Sequence, residues 1–116
     1  MSELIWRDDI VSLARPGGIG IELGVAEGDF SARVLAKRHF SHFYSVDMWA
    51  GDRGHNDAQY RRVLARLEQF KDRNTIIRMT FEETLPLFVD QYFDFIYIDG
   101  YAHDAQQNGK TLSDWW

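Results

Sequence analysis

Four short apolar runs alternate with stretches of helical spacing, and this alternation limits the chain more than any single motif. The runs are Ile19 to Leu23, His42 to Val46, Asn74 to Met79 and Tyr92 to Ile98. Runs of this length, rich in Ile, Val, Phe and Tyr, read as buried strands. Strands that alternate with helices predict parallel βαβ units with right-handed crossovers. The expected class is α/β, a parallel sheet with helices on both faces. At 116 residues the chain has the length of one domain.

The intervening stretches support this. Leu4, Ile5, Ile10, Val11 and Leu13 stand among charges and predict a short helix, which Arg15-Pro16-Gly17-Gly18 breaks. Asp29 is the expected N-cap of a helix over about 30–39, with Phe30, Val34 and Leu35 on one face. Asn56 caps a helix over about 57–71, where Tyr60, Val63, Leu64, Leu67 and Phe70 recur at helical intervals. Thr80-Phe81-Glu82-Glu83 is a capping box that starts a short helix to Val89. A last helix is expected from Asp104 towards Trp116.

Composition excludes several classes. Thirteen basic and 18 acidic residues give a net charge of −5, which argues against a phosphate-binding footprint for nucleic acid. There are no cysteines, so disulfides and thiolate metal sites are absent. The opening MSELIWRDDI carries early acids and no apolar core of a signal peptide. No apolar run approaches the roughly 20 residues that span a bilayer. The expectation is a cytoplasmic protein with no nucleic-acid and no membrane partner.

The chemistry-bearing residues cluster where strands end. In open α/β sheets, ligands bind outside the carboxyl ends of the strands. After the first strand, Glu22-x-Gly24-x-x-x-Gly28 leads into a helix. Gly24 and Gly28 remove side chains where a ligand could pass. The spacing differs from the G-x-G-x-x-G of dinucleotide binders, and Glu22 and Glu27 would repel a phosphate. The plain alternative is a strand-to-helix turn with no ligand. Asp47 closes the second strand, where a carboxylate can accept hydrogen bonds from both hydroxyls of a ribose, or merely start a turn. Phe81 and Glu82 follow the third strand, where an adenine could lie, although Thr80 and Glu83 are already explained by capping. Asp99 and His103 follow the fourth strand. They could position a substrate hydroxyl and take its proton, or hold a hard metal ion together with Asp52, His55 and Asp57. Alternatively, this is a polar loop in which Asp104 caps the last helix. His39 and His42 read as structural, and Phe93, Phe95 and Tyr97 as core.

Taken together, IELGVAEGDFS, FYSVDMW, MTFEETLPLF and FDFIYIDGYAHD resemble, in order and spacing, four motifs of the class I S-adenosylmethionine-dependent methyltransferases. The Ile-Asp-Gly ending of the fourth strand, with His103 after it, is similar to the macrocin O-methyltransferase-like, small-molecule group. The resemblance implies a Rossmann-like sheet and S-adenosylmethionine as cofactor. Glu22 and the Gly24 backbone would face its methionine part, and Gly28 would support the loop. Asp47 would bind the ribose hydroxyls, and Phe81 and Glu82 would flank the adenine. Asp99 would lie beside the sulfonium and the acceptor, as a Mg2+ ligand in metal-dependent members. The implied reaction is methyl transfer to a small-molecule hydroxyl.

Domains of this class usually have seven strands, ordered 3-2-1-4-5-7-6, whereas four are legible here, for which the resemblance implies the order 3-2-1-4. The expectation is a chain truncated before strand five that self-associates as a homo-oligomer through its fourth strand and C-terminal helix. The competing expectation is a non-catalytic Rossmann-like module that binds the cofactor or acts through self-association. A nicotinamide-dependent oxidoreductase is disfavoured by the glycine spacing and by the absence of a Tyr-x-x-x-Lys pair.

Overall fold

In the computed structural model of the chain, β1 (Ile19–Leu23) is flanked by β2 (His42–Asp47) and β4 (Phe95–Ile98). β3 (Asn74–Arg78) lies beyond β2, so the sheet order is β3-β2-β1-β4 and all pairings are parallel. The structure describes residues 7–50, 55–88 and 92–98, with backbone alone for 7–9. The expected last helix, Asp52, Asp99, His103 and Asp104 lie outside these residues.

The two faces of the sheet follow the two-residue period of the strands. On one face Phe43, Ile76, Phe95 and Tyr97 meet α1 (Asp29–Lys37) and α2 (Asp57–Leu67) through Phe30, Val34, Leu35, Val63 and Leu67. On the other, Ile21, Leu23, Val46, Ile77, Ile96 and Ile98 pack with Phe81 of the short α3 (Phe81–Thr84) and with Leu85 and Phe88. Helices therefore lie on both faces, as the alternation predicts.

Gly20 sits where no side chain fits. A Cβ there would lie 2.8 Å from Phe43 Cδ1 and 3.1 Å from Phe40 Cε2. Phe40 in turn packs on Phe43 and Phe95 at ring-centroid distances of 5.8 and 5.5 Å. The glycine lets three aromatic rings close over the centre of the sheet.

Several expected boundaries move, each for a local reason. Within the described residues the first helix is a 3-10 helix, Arg7–Leu13. Asp29 is not the N-cap of α1: Gly28 takes that position with φ 88°, and Asp29 occupies the first turn, paired with Arg66 of α2. Asn56 does cap α2, its side chain accepting from the Gln59 amide at 3.0 Å. α2 stops at Leu67 and tightens into a 3-10 turn, Glu68–Phe70. The capping box forms as expected: Thr80 Oγ1 accepts from the Glu83 amide, and Glu83 accepts from the Thr80 amide. α3 also passes into a 3-10 turn, Leu85–Leu87.

β4 begins at Phe95 rather than Tyr92. The preceding Asp94 is a clamp: its amide donates to Ile19 O at 2.7 Å, and its carboxylate accepts from Ile19 N and the Arg15 guanidinium. Those bonds, the Arg15 one first, hold the Asp94 carboxyl below its usual range. His39 lies 2.7 Å from Ala14 O and His42 lies 2.7 Å from Thr75 Oγ1, so both tie backbone or strand neighbours together.

Candidate functional site

The loop after β1 is wound by three residues with positive φ: Gly24 at 104°, Ala26 at 53° and Gly28 at 88°. Glycine adopts this conformation freely, whereas alanine pays about 1–3 kcal/mol and persists only if its surroundings impose it. The surroundings here are the end of β2. Asp47 Oδ2 accepts from Val25 N at 2.8 Å and Ala26 N at 2.9 Å, and Asp47 Oδ1 accepts from Trp49 N at 2.9 Å. The expected ribose-reading carboxylate and the expected glycine loop are thus in direct contact. A carboxylate offers about four lone-pair directions, and these bonds engage three of them.

Trp49 was not singled out by sequence reasoning, and it closes the same corner. It is fully buried, has φ 48°, and donates its indole N–H to Ala26 O at 2.9 Å. Arg78 at the end of β3 donates to Met48 O and Trp49 O, both at 3.1 Å. The signal available in advance was a large aromatic two residues after the strand-ending acid, at the head of the loop stretch MWAGDRGHN.

The two acids of the loop are committed elsewhere. Glu22 is 2% exposed and accepts from Ser31 Oγ of α1 at 2.5 Å. Ser31 Oγ lies 2.8 Å from Ser45 Oγ, which accepts from Asn74 Nδ2 at 3.1 Å. A chain of buried polar groups therefore runs from β1 through α1 to β2 and β3. Ser31, Ser45 and Asn74 also escaped prediction, although Ser45 stands out as a polar residue between Tyr44 and Val46 in an apolar strand. Glu27 is held on its outer side by Arg62 Nη2 and Gln59 Nε2, each at 2.9 Å. Those hydrogen bonds, Arg62 first and then Gln59, hold its carboxyl down at about 2.

Phe81 is 5% exposed and belongs to the core with Ile21, Leu23 and Val46, so its ring is not an open platform in this structure. Glu82 is exposed in the first turn of α3. Among the described residues no group of three or more His, Asp or Glu side chains could hold a metal ion. His55 is 3.0 Å from Gln59 Oε1 through Nδ1. Asp57 is bonded to Arg78 and Arg61, which lower its carboxyl below the usual range, the Arg78 hydrogen bond most. Asp57 is therefore engaged by two guanidiniums. No helix among the described residues is long and apolar enough to cross a membrane.

The site's chemistry is that of hydrogen-bond acceptors beside a backbone turn, at the carboxyl ends of β1, β2 and β3. The chain matches solved structures across most of its length. It is similar to cofactor-bound Rv0187 from MTB (15% identity, TM-score 0.64), covering 99% of this chain and 52% of that one. It is similar to an rRNA methylase from Streptococcus thermophilus (13% identity, TM-score 0.63), covering 96% of this chain and 66% of that one. A cyclopropane-fatty-acyl-phospholipid synthase-like protein from Lactobacillus casei matches at 24% identity and TM-score 0.52, over 76% of this chain and 33% of its own. These likenesses concern the fold, and the chain spans about half the length of the first. No curated protein matches by sequence. A family model described as a methyltransferase domain matches residues 21–116, from within β1 through all four strand ends, and the chain belongs to that methyltransferase family.

Proposed function

We propose that this chain is the cofactor-binding part of an S-adenosylmethionine-dependent methyltransferase acting on a hydroxyl of a small molecule. The observation that carries the reading is the contact between Asp47 and the Gly24–Gly28 loop. It joins the acid suited to a ribose to the turn suited to a close backbone approach. The residues fit the cofactor on chemical grounds. Asp47 supplies acceptors for sugar hydroxyls, Gly24 puts no side chain at the start of the turn, and the Glu22-x-Gly24-x-x-x-Gly28 spacing is not that of a dinucleotide phosphate cradle.

Bound S-adenosylmethionine would supply a methyl group made electrophilic by its sulfonium. Asp47 would accept from the ribose, while the backbone of Phe81 and the side chain of Glu82 border the adenine. Asp99 would orient the acceptor hydroxyl, and His103 would take its proton as the carbon–oxygen bond forms and the carbon–sulfur bond breaks. The roles of Asp99 and His103 rest on the sequence resemblance. The small-molecule acceptor rests on the same resemblance and on the acidic net charge of −5. Self-association through β4 belongs to the same proposal, and light scattering at micromolar concentration tests it: a clean monomer would refute it.

Calorimetric titration with S-adenosylmethionine and S-adenosylhomocysteine, repeated with Asp47→Ala, tests the cofactor site. Binding by the parent chain that disappears in the variant supports the reading. A folded parent chain that binds neither compound overturns it.

A further inference from the structure

Ala26 is held from both sides of its backbone by the segment after β2. Its N–H donates to Asp47 Oδ2, and its C=O accepts from the Trp49 indole. The Trp49 backbone is itself fixed, its N–H by Asp47 and its C=O by Arg78 from β3. The Trp49 ring lies 5.1 Å from the ring of Tyr60 on α2, over which the Arg78 guanidinium sits at 4.5 Å. A continuous set of contacts therefore runs from β3 through the loop after β2 to the turn after β1.

Two details indicate that this arrangement is imposed rather than incidental. Ala26 and Trp49 both have left-handed backbone conformations, at φ 53° and 48°, which non-glycine residues hold only where neighbours over-determine them. The indole N–H is donor-only and fully buried, so its single bond to Ala26 is what satisfies it. Phenylalanine could fill much of the same space but could not make that bond.

We propose that Trp49 is a positioning residue of the cofactor site, holding Ala26 so that the 24–28 loop keeps its shape while Asp47 engages the ligand. This rests on the reading of the loop as a cofactor site. With three acceptor directions of Asp47 engaged by loop amides, reading both hydroxyls of a ribose requires one amide to yield. The Trp49 bond is on the carbonyl side of Ala26 and is not part of that exchange. It keeps the turn in place.

The test uses Trp49→Phe in the full chain. Two readouts are taken: titration with S-adenosylhomocysteine, and amide hydrogen exchange at Val25 and Ala26 against Phe43 in β2. The expected result is about tenfold weaker binding, the worth of one net hydrogen bond in a buried setting. Exchange should accelerate at Val25 and Ala26 and stay unchanged at Phe43. Unchanged affinity with unchanged loop exchange would overturn the assignment. A folded parent chain that does not bind would overturn the cofactor reading instead, and the exchange comparison would still decide whether Trp49 sets the loop. If Trp49→Phe does not fold, the indole N–H of the parent chain is followed with and without S-adenosylhomocysteine. Slow exchange in both states supports the role, and an N–H that opens to water in the complex refutes it.

Discussion

Ser31 on α1 donates to the buried carboxylate of Glu22 on β1 at 2.5 Å, which joins the first turn of the helix to the strand beneath it. The 24–28 loop spans these two residues, so this bond limits how far its ends can separate. Ser31→Ala removes one donor to a buried carboxylate and also a partner of Ser45. The expected loss is about 1–3 kcal/mol, read as a lower urea midpoint with an unchanged slope. Ser31→Thr, which keeps the hydroxyl, should recover part of it.

Gly20→Ala tests the aromatic closure over the sheet. The added Cβ meets Phe43 Cδ1 at 2.8 Å, inside contact distance, and Phe40 limits the room for Phe43 to retreat. Overpacking of this kind costs about 1–3 kcal/mol. Combining it with Phe43→Leu should be less destabilising than the sum of the two single changes, as judged by chemical denaturation.

Glu27 gives the stability a specific acid dependence. Its carboxyl is held down at about 2 from an ordinary 4.5, by the Arg62 hydrogen bond first. A group with a depressed folded value stabilises above its unfolded value and loses that contribution as pH falls through the folded one. The stability should therefore decline as pH falls from 4.5 towards 2. Glu27→Gln should flatten that limb in thermal melts across the acid range. The effect is moderate, because the pair is substantially open to solvent.

Tyr44 predicts the opposite limb. Burial, followed by the Tyr92 hydroxyl 3.3 Å away, pushes its phenol up to about 12 from 10. A raised folded value stabilises below the unfolded one and is lost as pH rises through the folded one. Stability should fall between pH 10 and 12, and Tyr44→Phe should remove part of that fall. Ultraviolet titration of tyrosinate follows the group directly.

Thr80→Ala should remove the hydroxyl that accepts from the Glu83 amide and cost about 1 kcal/mol. A change in denaturation midpoint without a shift in Asp47-dependent ligand affinity would separate capping from cofactor contact at this turn.

The alternation of apolar runs with helical periodicity determined the α/β class by itself, because a period of two and a period near four leave different residues on one face. It placed β1 to the residue, and the capping signals of Asn56 and Thr80 are local chemistry that needs no tertiary partner. Glycine spacing and strand-ending acids marked the crevice for the same reason. Tertiary structure decided which side-chain atoms meet. Nothing local shows that Asp47 turns to the Val25 and Ala26 amides, that Glu27 is held by α2, or that Trp49 reaches Ala26. These pairs are 22, 21, 32 and 23 residues apart in sequence and are joined only by parallel pairing of β1 with β2 and by α2 packing over the loop. Phe81 packs with Ile21, Leu23 and Val46 because α3 folds its first turn onto them. A chain position shows which chemistry is available, but hydrogen bonds extend only about 3 Å, and only the packed sheet and helices bring distant groups within that reach.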